Sequence, residues 1–124
     1  MDNTRLTRKM LGALGENYAR EHLSSKGYRI QAQNWRCRSG EIDLVAVEGE
    51  LLVFVEVRTR SGSARFGTPQ ESVNLLKQRQ VRETAQYYAH RNQLLHKQQR
   101  FDVISVLTEK DGGLRTIEHV CNAF

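Results

Sequence analysis

The run Gly40-Glu-Ile-Asp-Leu-Val-Ala-Val-Glu-Gly-Glu-Leu-Leu-Val-Phe-Val-Glu-Val-Arg-Thr59 constrains this chain more than any other stretch. It reads as two strands joined by a tight turn, yet it carries acids where a buried strand should be apolar. Asp43 sits among Ile42, Leu44 and Val45, and Glu56 lies between Val55 and Val57. A carboxylate in such a run is costly unless a cation, a metal or hydrogen bonds compensate it. Geometry decides whether the two can act together, because strand side chains alternate faces and cross-strand partners share one. A turn at Glu48-Gly49 makes Glu56 a diagonal neighbour of Asp43, roughly 7–8 Å away on the same face. A turn at Gly49-Glu50 sets the two acids directly opposite each other. A three-residue loop without a bulge would separate them onto opposite faces. In either two-residue register, Arg58 joins the two carboxylates. Carboxylates so spaced suit a hard, oxygen-seeking ion such as Mg2+.

Around this hairpin the pattern predicts a helix over 7–25, ended at Lys26-Gly27. Leu11, Leu14, Tyr18, Ala19 and Leu23 form its apolar arc, with Gly12 and Gly15 in the same stripe. Two interior glycines cost helix stability, and close approach to another element is one compensation. Glu16 borders that stripe. Residues 28–35 alternate as a first strand, with 36–40 as a connecting turn. Residues 60–69, rich in Gly, Ser and Arg and holding the only proline, read as a mobile loop. A second helix over 74–90 buries Val81, Ala85, Tyr88 and Ala89, with Lys77 and Arg82 at its borders. Strands over 101–107 and 114–120 flank a turn at Asp111-Gly-Gly113. The order predicts one α/β domain spanning 1–124, a mixed central sheet of about five strands flanked by helices.

At 124 residues the chain can bury a core without staples. Its 19 Lys plus Arg against 14 Asp plus Glu leave a net charge of +5. That balance suits a polyanionic partner, nucleic acid before membrane, since no basic helix with a greasy face is evident. Cys37 and Cys121 are far apart and read as reduced thiols. Neither signal peptide nor membrane span is visible, which points to the cytoplasm. His22, His90, His96 and His119 show no ligand spacing and are read as surface or core residues.

An Asp on the first strand of a hairpin, followed by Glu-x-Lys on the second, resembles the restriction-endonuclease-like nucleases, the PD-(D/E)xK fold. Here the pattern is Gly40-Glu-Ile-Asp43 and Phe54-Val-Glu56-Val-Arg58. More narrowly, the chain resembles the YraN family of small bacterial proteins. The matching stretches are Gly15-Glu16, Gly27-Tyr28, Asn34-Trp35-Arg36, Gly40 to Leu44, Val53 to Arg60, Arg100-Phe-Asp-Val103 and Asn122-Ala-Phe124. That family is similar to the archaeal Holliday-junction resolvases. The resemblance implies that Asp43, Glu56 and the Val57 carbonyl hold the metal, and that Glu16 matches the first-helix Glu of resolvase-like members. Arg58 stands where the family fold carries a catalytic Lys. A guanidinium cannot serve as base, although it can orient a water or stabilise charge on a phosphate.

The expected activity is Mg2+-dependent endonucleolytic hydrolysis of branched or structured DNA, with Mn2+ as a substitute ion. Glu16, Asp43, Glu56 and Arg58 form the expected catalytic set. Arg36, Arg38, Arg60, Arg65 and Lys77 are expected to grip flanking phosphates. Two-fold symmetric cutting of a junction would imply a homodimer, by analogy. The alternative is a non-catalytic nucleic-acid-binding module that keeps the fold. A plainer reading closes Asp43 and Glu56 into a structural network with Arg58 and Arg60. For Glu16 the plain reading is an exposed residue paired with Arg20, and for Glu41 a solvated strand start.

Overall fold

The computed structural model of the chain describes residues 6–62 and 72–124. Its elements follow in the order α1 (Arg8–Ser25), β1 (Arg29–Cys37), β2 (Gly40–Glu48), β3 (Leu51–Ser61), α2 (Leu75–Arg91), β4 (Gln98–Thr108) and β5 (Leu114–Val120). The strands make one sheet whose spatial order is the chain order. Three neighbouring pairs are antiparallel and β3–β4 is parallel. A parallel pair cannot close through a hairpin, so α2 lies within the crossover between β3 and β4. This is the mixed sheet with flanking helices that the sequence predicts.

The central strands are buried on both faces, which is why β2 and β3 read as near-continuous apolar runs. On one face Val45, Val47, Leu52 and Phe54 pack with Val81, Ala85, Tyr88 and Ala89 of α2. On the other, Leu44, Ala46, Val53, Val55, Ile104 and Val106 pack with Ala19 and Leu23 of α1. Each helix starts on a side-chain cap that meets an otherwise orphaned amide. Thr7 Oγ1 accepts from Met10 N, and Asn74 Oδ1 accepts from Lys77 N. At the end of α1, Tyr28 N–H returns to Leu23 O and Gly27 N–H to Ser24 O, with Gly27 at φ +90°. This paired return stops the helix where Lys26-Gly27 predicted.

Several boundaries differ from the sequence reading, the start of β4 at Gln98 rather than 101 among them. The first strand is Arg29–Cys37, and the turn expected over 36–40 shrinks to Arg38-Ser39 because Cys37 pairs with Gly40. Arg60 is not in a loop but in β3, opposite Leu107. β4 extends to Thr108 and supplies ladder partners that keep the strand going. The remainder of the 60–69 reading, Arg65 included, lies outside the described residues beyond Gly62. Neither described helix is long and apolar enough to cross a membrane.

Candidate active site at the β2–β3 fork

The register decides between the two predicted turns. Glu48 pairs with Leu51 and Leu44 with Val55, so Gly49-Glu50 is the turn and Asp43 falls opposite Glu56. The ladder stops at that point, although β2 begins at Gly40 and β3 runs to Ser61. Past the Leu44–Val55 pair the two strands therefore part like a fork. Asp43 stands in the crotch, and its Oδ2 accepts the Val57 N–H at 2.8 Å in place of a ladder carbonyl.

A local irregularity in β1 matches the fork. Asn34 sits at φ +50°, between Gln33, which pairs with Leu44, and Trp35, which pairs with Ile42. Ile42 consequently packs on the α2 face beside Val45, although simple alternation would put them on opposite faces. The Asn34 amide lies near the Glu16 carboxylate of α1 and favours its charged form. Asn tolerates this backbone region better than most residues. The sequence marked Asn34 only as part of the Asn34-Trp35-Arg36 stretch of the family resemblance and gave it no role at the site.

A cavity of about 440 Å³ opens over the fork, lined by Glu16, Asp43, Glu56, Val57, Arg58 and Arg60, with Arg8, Leu11 and Gly12 from the first half of α1. Glycine serves two different purposes on that helix. A Cβ at Gly15 would overlap the Thr59 hydroxyl and come 2.7 Å from Thr59 Cβ, so Gly15 lets α1 lie directly on β3. A Cβ at Gly12 would meet nothing within 4 Å, so the compensation expected for both glycines applies to Gly15 alone.

The carboxylates are electrostatically crowded. Burial pushes Glu56 up to about 7, aided by Asp43, while Lys77 and Arg58 oppose the shift. The two acids are close enough to hydrogen-bond through a proton, which itself raises Glu56. Burial likewise raises Asp43, against the hydrogen bond from Val57 N–H, with Glu41 adding to the rise and Lys77 and Arg58 resisting it. Glu16 is raised by burial, with Asp43 and Glu41 contributing, while Asn34 pulls the other way. Glu16 therefore belongs to the acidic cluster.

Two cations lie at Glu56 Oε2: Arg58 Nη2 at 3.5 Å and Lys77 Nζ at 3.8 Å. Lys77 reaches in from the first turn of α2 and contacts the central acid, which is a nearer role than the flanking grip expected of it. Among the described residues, Arg58 Nε is buried without a hydrogen-bond partner. Arg60 lines the cavity, and burial together with Arg58 lowers its pKa. Arg36 is set apart on the sheet edge and pairs with Glu41 at 3.2 Å. Arg38 lies in the β1–β2 turn.

A second polar cluster went unread in the sequence. Asp102 is fully buried and accepts four hydrogen bonds. Arg100 Nε and Nη2 donate at 2.8 Å each, Asn122 N–H donates at 2.9 Å, and His119 Nε2 lies 2.8 Å away. Tyr28 OH completes the cluster, 2.6 Å from Arg100 Nη2. Cys121 Sγ stands 3.7 Å from His119 Nε2, so a histidine read as without ligand spacing has an acid and a thiol beside it. Acids between apolar neighbours flagged Asp43, and Phe101-Asp102-Val103 carried the same signal. With its acceptor positions filled by Arg100, Asn122 and His119, Asp102 ties β4 to β5 and the segment after it.

Residues 15–106 match the model of a family described as Uncharacterised protein family UPF0102. The chain belongs to this family. A UPF0102 protein of Moorella thermoacetica is 44% identical over 119 residues, covering 96% of this chain and 98% of the relative. One from Pelobacter propionicus is 49% identical over 115 residues, covering 91% and 81%. A third, from Dictyoglomus turgidum, is 39% identical over 119 residues, covering 96% and 100%. The YraN-family resemblance of the motifs thus holds over nearly the full length. The UPF0102 match takes in Glu16, Asp43, Glu56, Arg58 and Lys77 alike.

Proposed function

We propose that this UPF0102 protein is a Mg2+-dependent endonuclease that hydrolyses phosphodiester bonds in branched or structured DNA. The observation carrying the proposal is the half-buried Asp43 beside the buried Glu56, two interacting carboxylates at one open cavity. Two such groups repel unless a proton or a cation stands between them. The donor set available there is all oxygen, from Asp43, Glu56 and the Val57 carbonyl, and it fits a hard divalent ion. Mg2+ held by these groups, or Mn2+ in its place, would make a bound water nucleophilic near neutral pH and polarise the phosphate.

The chain's own residues supply the rest. Glu16, beside Asn34, faces the same space and can accept a proton or hold a water. Arg58 and Arg60 line the cavity and can pair with non-bridging phosphate oxygens. Lys77 offers what Arg58 cannot, an ammonium able to give up a proton, and it reaches the same Glu56. Arg38 and Arg36 extend the positive surround, and a net charge of +5 favours approach of a polyanion. By analogy with junction resolvases, a homodimer would deliver paired cuts.

Four-way junctions, flaps and duplexes incubated with Mg2+ or Mn2+ test the reading. Wild type is expected to cut a branched substrate, and Glu56→Ala and Asp43→Ala to lose at least two orders of magnitude in rate. Equal cutting by wild type and Glu56→Ala would expose a contaminant and end the proposal. The substitution of Arg58 for Lys favours a second reading, a binding module without turnover. Binding without cleavage that persists in Arg58→Lys would support that alternative.

A further inference from the structure

Leu75 and Leu76, the first two residues of α2, are 80% and 75% exposed, the most exposed large apolar side chains among the described residues. Helix starts do not require leucine, and two adjacent ones in water forgo the stabilisation that burying them would bring. Their position gives the exposure a use. The next residue, Lys77, reaches Glu56 at the fork. Leu76 also lines a shallow groove of about 270 Å³ with Arg79, Gln80 and Glu83. That groove adjoins the β1–β2 turn, since Ser39 Oγ bonds Glu83 and Gly40 packs on Gln80. The turn carries Arg38, and Arg36 stands just before it. An apolar tip is therefore followed by Lys77 and Arg79, and the groove running from it, with Glu83 as its lining acid, ends on the turn that carries Arg38.

We infer that Leu75 and Leu76 form a wedge that inserts at an unstacked base step beside the phosphate held at the fork. The inference rests on the nuclease reading and deepens it by naming the residues that would tell a branched substrate, whose stack is already broken, from a continuous duplex. The charge pattern selects the occupant: backbone phosphates meet the arginines and lysines, while the leucines need an apolar surface that only bases present. Apolar wedges enter DNA in this way, at a cost of a few kcal/mol per step for unstacking. A continuous duplex must bear that cost, whereas a junction, flap or bulge has met it in advance. The two leucines thereby discriminate between them, and the acidic fork is free to act on whichever phosphate is presented.

Fluorescence anisotropy in EDTA, with no cleavage possible, tests this directly. The probes are a four-way junction carrying 2-aminopurine at its centre and a fully paired duplex of equal length. Wild type is expected to prefer the junction and to change the 2-aminopurine emission. Leu75→Ser/Leu76→Ser should lose junction affinity by roughly tenfold or more, keep its duplex affinity and leave the emission unchanged. Leu75→Met/Leu76→Met should restore both signals, and matching thermal unfolding curves will show that all three proteins fold. Absence of binding, absence of a junction preference, or an equal loss on both probes would overturn the wedge. Because the metal is withheld, a failed cleavage assay leaves this result intact, and a failed wedge leaves the cleavage result intact.

Discussion

Alanine substituted at Gly12 and at Gly15 should change stability in opposite directions, although the two positions lie one helical turn apart. On propensity alone each replacement gains about 1 kcal/mol in a helix interior. At Gly12 nothing lies within 4 Å of the new methyl, so the gain stands undiminished. At Gly15 the methyl collides with the hydroxyl, Cβ and Cγ2 of Thr59. The Thr59 Cβ is fixed by a strand paired to β4, not the loose end of a flexible side chain. Overpacking of this kind costs about 1–3 kcal/mol, and the steepness of the overlap places Gly15→Ala towards the upper end. The net expectation is a gain of about 1 kcal/mol for Gly12→Ala and a loss of about 1–2 kcal/mol for Gly15→Ala. For a chain of this size each kcal/mol moves the melting midpoint by about 4 °C. Urea unfolding followed by circular dichroism, with a common slope for the three proteins, reads the difference. A Gly15→Ala protein as stable as wild type would refute the close docking of α1 on β3. With it would fall the account of how Glu16 is held over the fork.

The crowded acids make metal-free stability depend on pH. Glu56 titrates near 7 in the fold against 4.5 when unperturbed, so between those values the folded chain keeps a proton that the unfolded chain has lost. Stability contributed by this group is thus greatest at low pH and declines as pH rises through that window, by about 3 kcal/mol at most. Because Asp43 shares the proton, the transition belongs to the pair. Glu56→Gln should flatten the dependence and be more stable than wild type at pH 8 in urea melts; an unchanged slope would count against the contact. Millimolar Mg2+ at pH 8 should raise the wild-type midpoint and leave that of Glu56→Gln nearly unmoved, as differential scanning fluorimetry can read. Asp102→Ala leaves the Arg100 guanidinium without its buried partner and should cost about 3–5 kcal/mol in urea unfolding. A loss under about 1 kcal/mol would mean that water or Glu48 replaces the carboxylate.

Local signals carried much of the architecture. Thr7, Gly27 and Asn74 marked helix ends because capping chemistry is short-range. The alternatives for the hairpin turn were countable, and Asp43 and Glu56 shared a site in two of them. The rest depended on contacts between distant residues. Lys77 approaches Glu56 only because the β3–β4 crossover brings the start of α2 back over the fork, and no spacing encodes that return. Arg60 continues a strand because a partner strand forty-odd residues later is long enough to meet it. Asn34 breaks the alternation of β1 at a single positive φ, which a period-two pattern cannot register. Asp102 and His119 looked unrelated until the antiparallel β4–β5 pairing placed Ile104 against His119.

The attachment of Asn122 and His119 to Asp102 also orders events during synthesis. While the ribosome has delivered β4 but not the segment after β5, a buried carboxylate on β4 holds only its arginine. Its other two partners, His119 and Asn122, are then still roughly 11 and 14 residues from being added, a wait on the order of one to three seconds at ordinary elongation rates. Through that interval the nascent sheet is incomplete on the flank where β5 will pair.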